Sequence, residues 1–224
     1  MSRSSTIAID GPVAAGKSAV GTLLAARLGY RFIDTGVMYR AITWAALKDG
    51  LDPEDEASVT ALAERSGIEV TEGDASGVSR IIVNGHDVTG VLRTKEVEQG
   101  VSLVSRFTGV RSAMVARQRA LAGEGMLIMA GRDIGTVVLP DADLKIFLTA
   151  SAEERARRRH QEMREAGQTV ELEQVLAELI QRDKLDTERA NSPLRPADGA
   201  FVLNTESIGI EQVVERIIGL AGDD

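Results

Sequence analysis

The chain has 224 residues, 43% of them apolar but only 3% aromatic, and a formal charge of −8, which suits one aliphatic core with room for a small insertion and disfavours non-specific nucleic-acid binding, which wants a basic surface. With no cysteine, and with His86 and His160 far apart in the chain, disulfides, iron–sulfur clusters and thiolate zinc are excluded and a histidine metal site is not expected. No apolar run reaches membrane-spanning length and the opening Met-Ser-Arg-Ser-Ser lacks a signal peptide's apolar stretch, so a cytoplasmic enzyme is expected.

Thr6–Asp10 reads as a buried strand. It runs into Gly11-Pro-Val-Ala-Ala-Gly-Lys-Ser18, which fits G-x-x-x-x-G-K-[ST], and a helical pattern opens at once over 17–28. Strand, loop and helix in that order form a phosphate cradle: backbone N–H groups converge on an anion and the helix N-terminus adds its positive end. Lys17 places a point charge on the outer phosphates, and the Ser18 hydroxyl suits Mg²⁺, which takes few protein oxygens. The same eight residues also occur as a plain glycine turn; the flanking strand and helix favour the cradle.

A second strand is expected over Tyr30–Asp34, followed by helices over 37–49 and 55–66. Asp34-Thr-Gly-Val-Met-Tyr-Arg40 opens the first of these. Thr35 is expected to cap it, and Arg40 has a fork suited to phosphate or is simply an arginine on an outer face. Residues 67–92 break the pattern. Short strands at Ile68–Glu72, Val78–Val83 and His86–Thr89, with turns at Gly73-Asp74, Gly77 and Asn84-Gly85, read as a small antiparallel insertion. It is too small for its own core and is expected to lean on the main domain, as a moving flap or as decoration.

One long helix is expected over 95–123, then a third strand at Met126–Ala130. Gly131-Arg132-Asp133-Ile-Gly-Thr136 follows, and adjacent opposite charges at a buried strand end need partners. They either pair with each other, or Arg132 takes a phosphate and Asp133 accepts from an amino or hydroxyl group. After a fourth strand, Leu144–Thr149, Ser151 and Glu154 fit a capping box. Arg155, Arg158 and Arg159 then share one face of a helix over 152–166, either as a solvated face or as an arginine-bearing lid. The helix over 171–189 buries Leu172, Val175, Leu176, Leu179 and Ile180. Arg182, Asp186 and Arg189 lie roughly 80° from the centre of that stripe, as a surface ion-pair ladder or at the mouth of a cleft. A fifth buried strand, Ala200–Leu203, and a helix over 210–220 close the chain. Strands alternating with helices imply a parallel sheet covered on both faces. Its ligands sit beyond the strands' carboxyl ends, where Gly11, Asp34 and Gly131 should border one cleft.

Taken together, Ile9-Asp-Gly-Pro-x-x-Ala-Gly-Lys-Ser18, Asp34-Thr-Gly-x-x-Tyr-Arg40, Arg93-Thr-x-Glu-Val97, Val110-Arg111, Gly131-Arg-Asp-Ile-Gly-Thr136, Lys145-Ile-Phe-Leu148, Glu154-Arg-Ala-x-Arg158 and Arg182-Asp-x-x-Asp186 resemble the bacterial-type cytidylate kinases, within the nucleoside monophosphate kinases, over nearly the whole chain. The resemblance implies a P-loop three-layer α/β/α fold: a core domain over 1–66 and 93–224 with a five-stranded parallel sheet, a helical lid at about 151–168, and the small β insertion at 67–92. It implies transfer of a phosphoryl group from ATP, with Mg²⁺, to CMP or dCMP. Gly11, Pro12, Val13, Ala14, Ala15, Gly16, Lys17, Ser18, Ala19 and Arg157 would hold ATP. Arg40, Arg132 and Arg189 would grip the acceptor phosphate, with Thr35 and Tyr39 beside them. Ser102, Arg111 and Asp133 would read cytosine, and Arg182 and Asp186 the sugar. Lys17, Arg132, Arg155, Arg159 and Arg182 would carry catalysis, in a chain expected to act as a monomer. Ala14 stands where the family often has glycine, and Thr35 where it often has serine. The absence of an Asn-Lys-x-Asp motif speaks against a GTPase; another P-loop kinase, or an ATP-sensing module that transfers nothing, are the remaining alternatives.

Overall fold

Alternation of apolar strands with amphipathic helices gives an α/β architecture in the computed structural model, which describes residues 5–73, 79–123 and 125–222. The chain begins β1 (Thr6–Asp10), α1 (Lys17–Leu28), β2 (Arg31–Asp34), α2 (Gly36–Lys48) and α3 (Glu56–Arg65). The insertion strands are β3 (Ile68–Gly73), β4 (Ser79–Val83) and β5 (His86–Asp87). Then come α4 (Lys95–Val104), α5 (Thr108–Ala122), β6 (Leu127–Gly131), β7 (Leu144–Thr149), α6 (Ala152–Glu165), α7 (Leu172–Glu188), β8 (Phe201–Asn204) and α8 (Ile210–Ala221).

Five strands form one parallel sheet in the order β2-β6-β1-β7-β8, and β3-β4-β5 form a separate antiparallel sheet. The register pairs Asp10 with Gly131 and Asp34 with Ala130, so the ends of β1, β2 and β6 share one edge. Side chains alternate across the sheet. Ile7 and Ile9 pack with α1 and α8 through Val20, Leu24, Val213 and Ile217. Ala8 and Met129 face the other side, where Ile134 and Val138 of a π-helical turn close the layer.

The insertion leans on the body: Ile81, Val83 and Val88 are buried with Met38, Ile42 and Leu62 of α2 and α3. Asn84 and Gly85 have φ of 49° and 80°, the paired left-handed values of a tight hairpin turn. The turn expected at Asp74 and Gly77 lies outside the described residues. The third insertion strand is shorter than expected, because Asp87 accepts from the Thr89 backbone and hydroxyl (3.0 and 2.7 Å) and starts a 3₁₀ turn.

Three further expectations are corrected. The long helix over 95–123 is two helices. Phe107 is buried and extended (ψ 128°) between them, and Gly109 sits so close to Thr60 that a Cβ would meet it at 2.2 Å. The fifth strand is not buried: β8 is the sheet edge and leaves Phe201 and Val202 exposed. Ile180 leaves the apolar stripe of α7 and faces solvent, while Val175 and Leu179 pack on Ala156 of α6. Among the described residues no helix is long and apolar enough to cross a membrane.

Gly11 fixes the loop after β1 against β7. Its φ is 149°, and a Cβ would lie 2.2 Å from the Leu148 carbonyl oxygen. Gly11→Ala is therefore expected to cost about 2–5 kcal/mol of stability from backbone strain plus overpacking, read as a lowered urea midpoint. An unchanged midpoint would contradict this packing.

Candidate active site

The loop Gly11–Gly16 leaves the central strand and delivers Lys17 at the first position of α1. Lys17 Nζ donates to the carbonyls of Gly11 (2.8 Å) and Pro12 (2.6 Å). Burial, and then the charge of Arg132, pull its ammonium well below the ordinary lysine range. Ala14 takes a left-handed φ of 58°, a cost of about 1–2 kcal/mol for an L-residue; with Val13 it packs against the apolar contact of α6 and α7. The Ser18 hydroxyl donates to Asp34 Oδ2 (2.6 Å). Asp34 Oδ1 accepts from the Gly36 amide (2.9 Å), while Thr35 does not cap α2 and instead donates its hydroxyl to the Ala130 carbonyl (2.9 Å). The short Asp side chain reaches the free amide two residues on, and the threonine ties β2 to β6.

The facing wall is a mesh of alternating charges. Arg40 Nε donates to Glu98 Oε1 (2.7 Å), and Glu98 Oε2 lies 3.4 Å from an Arg182 guanidinium nitrogen. Arg132 Nε donates to Asp186 Oδ2 (2.9 Å). Arg111 donates to Asp133 and to the Ser105 carbonyl, and its guanidinium lies over the Tyr39 ring. Arg189 sits 3.6 Å from Asp186 and 3.9 Å from Asp133, although α7 stops at Glu188. Arg132 and Asp133 thus do not pair with each other; each finds its partner on another element. Burial, then repulsion from Arg132 and Arg40, lowers Arg182 to about 10. Burial would raise Glu98, but Arg40 and Arg182 override it and hold its carboxyl at about 2. Burial pushes the Tyr39 hydroxyl up to about 12.

Between these walls lies an open cavity of about 340 Å³. Val13, Ala14, Gly16, Lys17, Ser18 and Ala19 line the loop side. Thr35, Tyr39, Arg40, Arg111, Arg132 and Asp133 face them, Arg182 and Asp186 enter from α7, and Arg189 enters from just past its end. Gly11, Pro12 and Ala15 stand behind the lining. Ser102 is not in the wall; its neighbours Val101 and Ser105 are. From α6 only Arg159 and Glu162 reach the cavity. Arg155 is buried and donates to the carbonyls of Ala150 (3.0 Å) and Val13 (3.1 Å) and to Asp183 (2.6 Å), which ties α6, the loop and α7 together. Arg157 is largely exposed and pairs with Glu154 (2.8 Å), and Arg158 is held by Glu154 and Thr205. The Ser151 hydroxyl accepts from the Glu154 amide (3.3 Å) as a capping box requires, but the Glu154 carboxylate turns to these arginines.

Three acidic residues in this network have no role assigned from the sequence. Glu98 follows the Arg93–Val97 motif at a spacing no general pattern marks. Asp183 belongs to the Arg182-Asp-x-x-Asp186 motif, but between Arg182 and Lys184 it looks like a solvated helix charge. Asp10 looks like the polar end of a strand, yet its carboxylate accepts from the amides of Ile134 and Gly135 (both 2.8 Å) and so pins the segment that carries Arg132 and Asp133.

A cationic cavity of this kind can hold two phosphate esters end to end and neutralise a phosphoryl group passing between them, which is the work of a P-loop phosphotransferase. The cytidylate kinase family model matches residues 7–222, and the chain belongs to that family. It is 49% identical over 223 residues to a cytidylate kinase of Geobacillus kaustophilus (strain HTA426), covering 100% of this chain and 99% of the relative. It is also 49% identical over 220 residues to a cytidylate kinase of Bacillus thuringiensis (strain Al Hakam), covering 98% and 97%. The solved structure of an uncharacterized protein from Eubacterium ventriosum ATCC 27560 shares the fold, with a TM-score of 0.54 at 11% identity over 98% of this chain and 99% of that one.

Burial raises the Asp10 carboxyl from 3.8 to about 6. Between those values the folded chain keeps a proton that the unfolded chain has lost, so this group weakens the fold as pH rises from about 4 to 6. Asp10→Asn does not titrate and offers one acceptor oxygen for two amides. Its stability deficit against the parent, about 1–3 kcal/mol near pH 4.5, is expected to shrink by pH 7. A deficit that grows over that range in paired urea titrations would refute the assignment.

Proposed function

We propose that the chain transfers the γ-phosphoryl group of ATP to CMP and dCMP, giving ADP and CDP or dCDP. The observation that carries this is that Lys17 and the arginines Arg40, Arg132 and Arg182 face the same cavity from opposite walls. One wall suits the donor's phosphates and the other the acceptor's.

Gly11–Ala19 cradle the ATP phosphates, and Lys17 exchanges the carbonyls of Gly11 and Pro12 for phosphate oxygens. Arg40, Arg132 and Arg189 hold the acceptor phosphate. Arg182 and Asp186 serve the sugar hydroxyls, and Arg159 and Arg182 add charge at the transferring group. Thr35 and Tyr39 shape the floor beneath the acceptor. Asp133, set by Arg111, accepts from the cytosine amino group; Ser102 would have to reach the base from just behind the wall. Arg155 acts by holding Val13 rather than by touching phosphate, and Arg157 meets ATP only if the lid helix turns inward. An acceptor phosphate oxygen attacks the γ-phosphorus, and the bond to the ADP oxygen breaks. The attacking oxygen is already ionised, so no general base is needed, and charge neutralisation and alignment supply the rate.

Ser18 and Asp34 are adjacent hard oxygen donors, and such a pair fits Mg²⁺, which keeps most of its waters. Bound with ATP, Mg²⁺ supplies neutralisation of the β- and γ-phosphate oxygens.

An ADP-release assay across CMP, dCMP, UMP, AMP and GMP is expected to respond to CMP and dCMP first; no response to either would end the proposal. Lys17→Ala is expected to lower kcat by about 10²–10³-fold, as loss of a preorganised charge does, with little change in melting temperature. Asp133→Asn is expected to lower kcat/KM for CMP by roughly tenfold or more while narrowing the preference over UMP. Equal losses with both would argue against base reading.

A further inference from the structure

The arginines of the acceptor wall already hold an anion. Glu98 projects from α4 and offers one carboxylate oxygen to Arg40 Nε (2.7 Å) and the other toward Arg182 (3.4 Å). Two oxygens of one anion set between two guanidiniums is how a phosphate would meet the same pair. Asp186 differs: it is only 8% exposed and locked between Arg132 and Arg189. The Glu98 side chain is 19% exposed at the cavity, on a stem whose several rotors let it swing aside.

The charges leave little room for sharing. Arg40 and Arg182 repel each other, and an anion between them offsets that repulsion. A phosphate dianion entering beside a fixed carboxylate meets like-charge repulsion instead.

We propose that Glu98 is a built-in phosphate surrogate: it occupies Arg40 and Arg182 while the acceptor phosphate is absent, weakens capture of that phosphate, and retakes the arginines as the diphosphate product departs. This rests on the reading of Arg40 as a holder of the acceptor phosphate and of Arg182 as a charge beside the transferring group. It makes Glu98 a competitor inside the cavity, distinct from a tether that merely orients Arg40.

The test compares the full chain with Glu98→Gln and Glu98→Ala. The KM for CMP is expected to fall about tenfold in both, the effect of removing roughly 1.4 kcal/mol of opposition, while kcat does not rise. Inorganic phosphate, titrated by calorimetry with ADP filling the donor loop, is expected to bind about tenfold more tightly. Cytidine, which lacks the phosphate, is expected to bind the parent and both variants alike. A tether predicts the reverse, and a raised KM for CMP or an unimproved phosphate affinity in Glu98→Gln overturns the proposal. The phosphate titration needs no turnover, so a parent chain that fails to phosphorylate CMP would sink the assigned reaction by itself.

Discussion

Guanidinium groups gathered around a half-closed cavity keep their charge and repel one another unless anions stand between them, and the whole site is organised by that requirement. Water reaches the groups poorly and the nearest cations repel them. The chain answers with carboxylates from distant segments: Glu98 from α4, Asp133 from the end of β6, Asp186 from α7. Each ties together elements that are far apart in sequence, so the charge balance of the site is also its scaffold. Where a phosphate ester enters, it takes up a role that the protein's own acids fill in its absence.

The sheet is what lets a few residues do this. Parallel strands in register bring Asp10, Asp34 and Gly131 to one edge, and the segments that follow are the phosphate loop, the opening of α2 and the Arg132-Asp133 turn. Asp10 then clamps that turn through two amides. A buried carboxylate is costly, but here it sets the position of two charged side chains that face the nucleotide cavity.

Most of the architecture was legible because it rests on local signals. The loop motif with its flanking strand and helix, the apolar runs and the Asn84-Gly85 turn each act within a few residues. The failures have a common cause in tertiary contact. Helical periodicity runs straight through 105–107, and only the burial of Phe107 and the approach of Gly109 to Thr60 break it. Phe201 and Val202 read as buried because an apolar pattern does not say which strand ends the sheet. Cationic site residues stood out, since clustered arginines invite a phosphate reading. Asp133 and Asp186 stood out with them, but Glu98 and Asp183 did not, because an acid on a helix looks like any solvated charge. Arg155 shows the converse: its place in an arginine run suggested contact with phosphate, whereas its guanidinium is spent on the carbonyls of Val13 and Ala150 and on Asp183.

Ala14 holds a backbone geometry that glycine would adopt freely, and its methyl group joins the apolar seam between α6 and α7. Left to itself an L-residue disfavours that geometry, so the packing of the methyl in the seam, not local preference, is what holds it. The loop side of the cavity therefore takes its shape from tertiary contact with α6 and α7 as well as from its own glycines.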